Sequence, residues 1–135
     1  MSISSAANIT IMVVDDFADI RSILRLWLEK RGYHVIEAAD GREAVETAKR
    51  ERPQLILMDL YLPEIDGYVA TARIRKDEEL RDVPIVAFSA YGDTQLQIDP
   101  LAVGFNEYVS KPFGPEVFGE ILDRFLPKSR SASGG

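Results

Sequence analysis

Residues 55–59 read Leu-Ile-Leu-Met-Asp, four apolar side chains followed directly by a carboxylate. So short an uninterrupted apolar run is typical of a strand that is buried on both faces of a parallel sheet. Residues 9–14 and 84–88 have the same character, and residues 34–37 and 107–110 have it more weakly. The sequence therefore predicts five strands, with Asp59 at the carboxyl end of the third.

Amphipathic stretches separate these runs. Apolar residues recur at helical spacing through residues 20–28, and a proline just inside the start and another just past the end bracket a last helix over 115–126. Asp40 is suited to cap a second helix, and Asp66 a third that runs toward Glu79. Strict alternation of strands and helices predicts an α/β fold, with a parallel sheet and helices on both faces.

The fourth helix is the irregular one. Residues 92–103 should hold it, but Pro100 would remove the backbone hydrogen bond to Leu96. Asp99 followed by Pro100 is typical of an N-cap and the first helical residue. The sequence therefore predicts a short or broken fourth helix.

Length and composition indicate one globular domain, because the chain has 135 residues, of which 46% are hydrophobic. We expect this domain over residues 9–126, between a disordered N-terminus at 1–8 and a segment at 127–135 that is a disordered tail or the start of a linker. The chain has no cysteine, which excludes disulfides and thiolate metal sites. We also expect a soluble, cytoplasmic protein, because no apolar run approaches the ~20 residues that span a bilayer.

The formal net charge of −6 repels nucleic-acid phosphates. On this ground we expect no nucleic acid among the partners; the lack of an apolar run long enough to span a bilayer argues against a membrane. Overall acidity says little beyond that about function.

Polar side chains follow four of the predicted strands. In a parallel sheet the carboxyl ends of the strands meet at one edge, and ligands bind there. Three carboxylates, one hydroxyl and one ammonium would lie together at this edge; they belong to Asp15, Asp16, Asp59, Ser89 and Lys111. Any one of them alone would be an ordinary loop residue, but their shared position favours a site.

Crowded carboxylates need positive charge, because two unit charges 4 Å apart interact with ~4 kcal/mol at an effective dielectric constant near 20. Lys111 supplies one charge, and a hard divalent cation such as Mg²⁺ or Mn²⁺ is the natural addition. A carboxylate can also act as a nucleophile toward phosphorus. Asp59, at the end of a buried run, is the best-placed acceptor, with Ser89 and the backbone N–H of Ala90 beside the phosphoryl oxygens.

Four stretches, residues 11–17, 57–67, 88–90 and 108–113, read IMVVDDF, LMDLYLPEIDG, FSA and YVSKPF. Together they resemble the receiver domain of two-component response regulators, of the single-domain chemotaxis type. The resemblance extends over almost all of residues 9–126. It implies a flavodoxin-like, doubly wound sheet with strand order 2-1-3-4-5. This order comes from the resemblance, because right-handed crossovers alone do not determine it.

The resemblance also implies a role for each site residue. Asp59 matches the phospho-acceptor, Asp16 the direct metal ligand and Asp15 the acid that acts through water. The backbone carbonyl of Tyr61 would complete the metal site.

The remaining matches concern phosphate binding and switching. Lys111 matches the phosphate-binding lysine, and its bond to Pro112 is expected to be cis. Ser89 matches the hydroxyl that moves toward the phosphoryl group, and Tyr108 the aromatic residue that follows it. Tyr61 and Tyr91 stand where side chains of this family control the access of water to the acyl phosphate; the alternative is that both rings simply cover the surface.

As a member of that family the chain would be a phosphorelay switch and not an enzyme with an outside substrate. Its donor would be a histidine kinase or a histidine phosphotransfer protein, with Leu26 on the first helix as a candidate contact. Its output would be an unidentified protein, and it would be a monomer or a phosphorylation-dependent dimer.

Three other kinds of protein fit parts of the same pattern. An aspartate-nucleophile phosphatase of the haloacid-dehalogenase type needs a second aspartate two residues after the first, where this chain has Tyr61. A flavin carrier of similar fold would need a first loop without the acids found here. A receiver that binds partners without phosphorylation would be expected to lack part of the set of acceptor, acids, hydroxyl and lysine.

Overall fold

The computed structural model of the protein describes residues 9–89, 99–110 and 114–126. The strands are β1 (Thr10–Val14), β2 (His34–Ala38), β3 (Leu55–Asp59), β4 (Ile85–Ser89) and β5 (Glu107–Ser110). The helices are α1 (Ala18–Lys30), α2 (Gly41–Glu51), α3 (Gly67–Arg75), α4 (Pro100–Val103) and α5 (Pro115–Phe125). All strand pairs are parallel, and the sheet order is β2-β1-β3-β4-β5, which confirms the predicted fold.

The sheet is buried on both faces, which explains why its strands are apolar without alternation. Successive side chains of a strand point to opposite faces. Met12, Ile56 and Ile85 belong to the core cluster beneath α2 and α3, whereas Ile11, Leu55 and Val86 belong to the cluster beneath α1 and α5. Both clusters reach across the central strands, so the edge that carries the carboxylates stands on a rigid base.

Both predicted acidic caps are in place. The Asp40 carboxylate accepts a hydrogen bond from the amide of Glu43 at 2.8 Å, and that of Asp66 accepts one from the amide of Val69 at 3.0 Å. Each bond satisfies one of the amides that have no partner inside the first helical turn. The start of α3, directly behind the loop that follows Asp59, is therefore well defined.

The third helix is shorter than predicted. It ends at Arg75 instead of continuing toward Glu79, and a separate 3₁₀ helix covers Glu78–Leu80. The reason is Asp77, whose carboxylate accepts a hydrogen bond from the amide of Glu79 at 3.0 Å and so starts a new helix.

The described part of the fourth helix agrees with the prediction made from Pro100. Asp99 has an extended backbone (φ −69°, ψ 118°) and its carboxylate accepts a hydrogen bond from the amide of Leu101 at 3.0 Å. The helix α4 therefore begins at Pro100 and does not continue a helix from residues before Asp99. Residues 92–98, which the prediction also covered, lie outside the described residues.

Arg75 joins the end of α3 to the turn between α4 and β5. Its guanidinium donates to the carbonyl of Gly104 at 2.8 Å, to the carbonyl of Val83 at 2.6 Å and to Asn106 Oδ1 at 2.9 Å. A further bond goes to the carbonyl of Leu80 at 3.1 Å. Burial lowers the pKa of Arg75, and the nearby carboxylate of Asp82 opposes that shift. One side chain thus serves acceptors from two separate segments, residues 80–83 and 104–106.

We expect Arg75→Met to lower the free energy of unfolding by about 3 kcal/mol, because several partly buried carbonyls would lose their donor. Arg75→Lys should fall between wild type and Arg75→Met, since an ammonium lacks the planar fork. Urea unfolding followed by circular dichroism measures both. Arg73→Met, an exposed arginine of the same helical turn, is the control and should change stability by less than about 0.5 kcal/mol. Equal effects of the Arg73 and Arg75 changes would contradict the assignment.

Candidate functional site

The ends of β1 and β3 bring three carboxylates together. Asp59 is the last residue of β3, and Asp15 and Asp16 follow β1 directly. One carboxylate oxygen of each lies within 4.8 Å of the others. Asp15 is fully buried, Asp59 is 6% exposed and Asp16 is exposed. The structure therefore assembles the acidic cluster that the sequence predicted.

Backbone amides orient the two buried carboxylates. Asp15 Oδ1 accepts from the amide of Phe17 at 2.9 Å, and Asp59 Oδ1 accepts from the amide of Tyr61 at 3.1 Å. In both cases the donor lies two residues further along the chain, a local turn for which aspartate is well suited. Each bond holds one carboxylate oxygen in a fixed direction relative to its strand.

Two glycines let the loop after β3 pack tightly. A Cβ on Gly67 would lie 2.4 Å from the carbonyl oxygen of Asp59, and a Cβ on Gly41 would lie 1.6 Å from the carbonyl oxygen of Ile65. The amide of Gly67 also donates to the carbonyl of Leu60 at 2.8 Å. Neither glycine has a positive φ, so the need at both positions is close approach and not backbone freedom.

On the other side of Asp59 lie the predicted switch residues. Ser89 is fully buried at the end of β4 and pairs in register with Ser110 of β5. Tyr108 is half-buried and packs against the core cluster beneath α2 and α3, and its hydroxyl lies 3.4 Å from the hydroxyl of Ser110. The structure thus places Ser89 and Tyr108 on neighbouring strands, while their roles stay predictions.

Several predicted residues lie outside the described part of the chain. Ala90 and Tyr91 follow Ser89, and Lys111 and Pro112 follow Ser110. Ser89 and Ser110 themselves are paired at the ends of neighbouring strands.

Tyr61 contacts a second tyrosine. Its ring is 41% exposed, and its hydroxyl and that of Tyr68 on α3 share a hydrogen bond. Burial, assisted by the Tyr61 hydroxyl, raises the pKa of Tyr68 to about 12. Tyr68 also meets Phe105 edge to face at 6.2 Å between ring centroids. The Tyr61 side chain is therefore tethered to α3 beside the acidic cluster.

The donor set fits a hard divalent cation. Carboxylate oxygens are the ligands that Mg²⁺ prefers, and three of them this close together repel strongly without a counter-charge. Two of the three are buried, where water screens the repulsion less. A cation bound between β1 and β3 would relieve it.

Known proteins agree with this geometry. The family model described as "Response regulator receiver domain" matches residues 11–123. The chain belongs to this family. Receiver domains are parts of two-component signalling systems.

The curated relatives include a "Probable transcriptional regulator ycf27" of Porphyridium aerugineum, 44% identical over 91% of this chain and 50% of its own length. Another is the "Phosphate regulon transcriptional regulatory protein PhoB" of Pseudomonas aeruginosa, 38% identical over 78% of this chain and 46% of its own length. A third is the "DNA-binding dual master transcriptional regulator RpaA" of Synechocystis, 36% identical over 84% of this chain and 46% of its own length. The chain spans about half the length of the curated relatives that it matches.

These relatives correct the prediction that excluded nucleic acid as a partner. Three of them are named as transcriptional regulators, and the name of one states that it binds DNA. The prediction used the net charge of this chain, which describes only the segment that carries it. A receiver segment can be acidic while a different segment of the same regulator binds DNA.

Solved structures include the receiver domain of a sensor histidine kinase from Pseudomonas aeruginosa, with a magnesium ion coordinated in its active-site cleft. It is 39% identical with a TM-score of 0.80, and the alignment covers 86% of this chain and 95% of that one. The chemotaxis protein CheY4 of Vibrio cholerae is 30% identical with a TM-score of 0.81, over 87% of this chain and 98% of that one. Among the described residues, every helix is too short or too polar to span a bilayer.

Arg21 is a residue of the site that the sequence did not reveal. Its guanidinium donates to the carbonyl oxygen of Asp15 at 2.7 Å and to Glu37 of β2 at 2.8 Å. An arginine on the polar side of a predicted helix has no feature that separates it from a solvent-exposed one. A glutamate in the neighbouring predicted strand was the available signal, and a weak one.

We expect Gly67→Ala and Gly41→Ala each to lower the free energy of unfolding by about 3 kcal/mol or more, because the added methyl group would overlap backbone atoms. Gly114→Ala is the matched control: a Cβ there has nothing within 4 Å, so the change should cost about 1 kcal/mol or less. Chemical denaturation of the three variants gives the comparison. Similar losses at all three positions would show that the close approach is unimportant.

Proposed function

We propose that this chain is a phosphorylation switch that accepts a phosphoryl group on Asp59 from a histidine kinase or a histidine phosphotransfer protein. The observation that carries the proposal is the convergence of Asp15, Asp16 and Asp59, with Asp59 nearly buried at the end of a central strand. Membership of the receiver family supports it.

The chemistry is a transfer from phosphorus donor to carboxylate. An oxygen of Asp59 attacks the phosphorus atom, the bond between phosphorus and the donor atom breaks, and an acyl phosphate forms. The backbone N–H of Tyr61 donates a hydrogen bond to Asp59 Oδ1. This bond keeps the carboxylate aligned during the attack. Positioning and charge neutralisation are the main requirements of such a transfer.

A bound Mg²⁺ would supply positive charge to neutralise the phosphoryl oxygens. Asp15, Asp16, Asp59 and the backbone carbonyl of Tyr61 are the groups that would hold it, and Mn²⁺ would serve in its place. Lys111 and the backbone amide of Ala90 would bind phosphoryl oxygens directly.

Switching would follow when a phosphoryl group occupies the edge of the sheet that carries the carboxylates. Ser89 would turn toward the phosphoryl group, and Tyr108 on the next strand would move into the space beside it. A partner that prefers this arrangement shifts the equilibrium by its difference in affinity for the two states. The names of the relatives support control of transcription as the output, exerted through a DNA-binding segment of the regulator. A cytoplasmic location stays a prediction.

Two alternatives have less support. A receiver that works without phosphorylation would not need the acidic cluster, which is complete in the structure. A phosphatase acting on outside substrates would need a general acid two residues after Asp59, and Tyr61 stands there.

The proposal is tested by incubating the protein with a small phosphodonor and Mg²⁺ and measuring the intact mass. We expect the mass of one phosphoryl group to be added to wild type, and no addition in Asp59→Asn or when Mg²⁺ is chelated. Asp66→Asn is the matched control, because asparagine caps a helix as well as aspartate does and the change lies in the same loop. No gain in wild type, or a gain that survives in Asp59→Asn, would contradict the proposal.

A second prediction concerns the lifetime of the phosphorylated state. If the tethered Tyr61 ring shields the acyl phosphate from water, Tyr61→Ala should speed its hydrolysis several-fold, whereas Tyr61→Phe, which keeps the ring, should have a smaller effect. Decay of the phosphorylated mass after removal of the donor measures the rate. Unchanged decay in Tyr61→Ala would favour a ring that merely covers the surface; Tyr91→Ala is the companion variant.

A further inference from the structure

Two arginines of α1, one helical turn apart, bind the same carboxylate of β2. Arg21 Nε lies 2.8 Å from one oxygen of Glu37, and Arg25 Nε lies 2.6 Å from the other. Burial raises the pKa of Glu37, but the hydrogen bonds from Arg25 and Arg21 outweigh it and hold that pKa below its ordinary value of 4.5. Glu37 is therefore ionised at neutral pH and bonded on both of its oxygens.

The two arginines differ in what else they bind. Arg21 is 18% exposed, and its second nitrogen donates to the backbone carbonyl of Asp15 at 2.7 Å. Arg25 is 37% exposed and donates instead to Glu29 of its own helix at 2.7 Å. One arginine thus reaches the loop that carries two of the carboxylates, and the other remains with the helix surface.

The carbonyl that Arg21 binds belongs to the peptide between Asp15 and Asp16. Fixing the plane of that peptide restricts the direction in which the exposed Asp16 side chain leaves the backbone. Without such a restraint, repulsion among the three carboxylates would favour rotation of Asp16 away from Asp59. The buried carboxylate of Asp15 is already held by the amide of Phe17, so Asp16 is the member of the cluster that needs the restraint.

We propose that Arg21 is a positioning residue for the acidic cluster: oriented by Glu37, it fixes the Asp15–Asp16 peptide so that one divalent cation can be bound by all three acids. This inference rests on the proposed function, because it assigns a purpose to metal binding there. Arg21 does not touch the metal or the phosphoryl group and acts through the backbone of Asp15.

Charge and position predict opposite effects when Arg21 is replaced. Removing a positive charge near three carboxylates should strengthen Mg²⁺ binding by Coulomb's law. Loss of the bond to the Asp15 carbonyl should weaken it. Arg25→Met removes the same charge from the same helix and the same partner, Glu37, while the bond between Arg21 and the loop remains, so it isolates the effect of charge.

The test is calorimetric titration of the full chain with MgCl₂, for wild type, Arg21→Met and Arg25→Met. We expect Arg21→Met to bind Mg²⁺ about 10-fold more weakly, the loss of one well-aligned hydrogen bond, which corresponds to ~1.4 kcal/mol. Arg25→Met should remain within about 2-fold of wild type. The free energy of unfolding, measured without Mg²⁺, should fall by comparable amounts in the two variants. A merely structural role of Arg21 would lower stability but would not make the Mg²⁺ affinities of the two variants differ.

Arg21→Lys keeps the test decisive if Arg21→Met does not fold. A lysine retains the charge but not the planar fork that binds Glu37 and the carbonyl together, so Mg²⁺ binding should again be weaker. Wild-type affinity in the folded Arg21 variant, or equal weakening by Arg25→Met, would overturn this inference and leave the proposed function intact. A wild-type protein that binds no Mg²⁺ would overturn both.

Discussion

Repulsion among three carboxylates is the constraint on which the rest of this structure depends. Asp15, Asp16 and Asp59 place oxygens within 4.8 Å of one another at the edge of the sheet. Such an arrangement is unfavourable in the absence of a cation, and it becomes more so as water is excluded. It persists because two of the acids continue strands whose side chains are buried on both faces, and a strand held in this way cannot turn its last residue outward without disturbing the core. The stability of the sheet is what keeps the three carboxylates together.

The loops around the acidic cluster are also held by specific contacts. Gly67 and Gly41 allow the segment after Asp59 to lie against α3 and α2 at distances that a side chain would prevent. Backbone amides hold Asp15 and Asp59, and Arg21 holds the peptide that joins Asp15 to Asp16. Asp16 is exposed, and Arg21 binds the carbonyl of the peptide that precedes it. The two buried acids are therefore held directly by backbone amides, whereas the exposed acid has a restraint on its backbone.

Much of this could be predicted from the sequence, for identifiable reasons. Apolar runs without alternation specify strands of a doubly covered parallel sheet, and the acids at their ends fall on one edge by geometry alone. Asp40 and Asp66 mark helix starts because an aspartate carboxylate can bind only a few nearby amides. Arg21, Arg75 and Gly41 were not predicted, because each of them lies against backbone carbonyl oxygens, and a carbonyl oxygen leaves no trace in the identity of its residue. The prediction that excluded nucleic acid was wrong for a different reason. It used the net charge of this chain, whereas the related regulators are about twice as long and contain further segments.

The fourth helix shows how a local sequence feature shapes the surface beyond the site. Asp99 caps α4 and Pro100 begins it, so this helix is a single short turn before Gly104. Arg75 then binds the carbonyl of Gly104, and the positive φ of that glycine lets the chain turn over the side chains of Arg75 and Thr71. Asn106, held by Arg75, bonds in turn to the amide of Ile85 at 2.8 Å at the start of β4. The C-terminal end of α4 is therefore tied to α3 and to the sheet near the amino ends of the strands. Ser89 and Ser110 end their strands at the opposite end of the sheet, so the bonds of Arg75 and Asn106 lie away from the carboxylates.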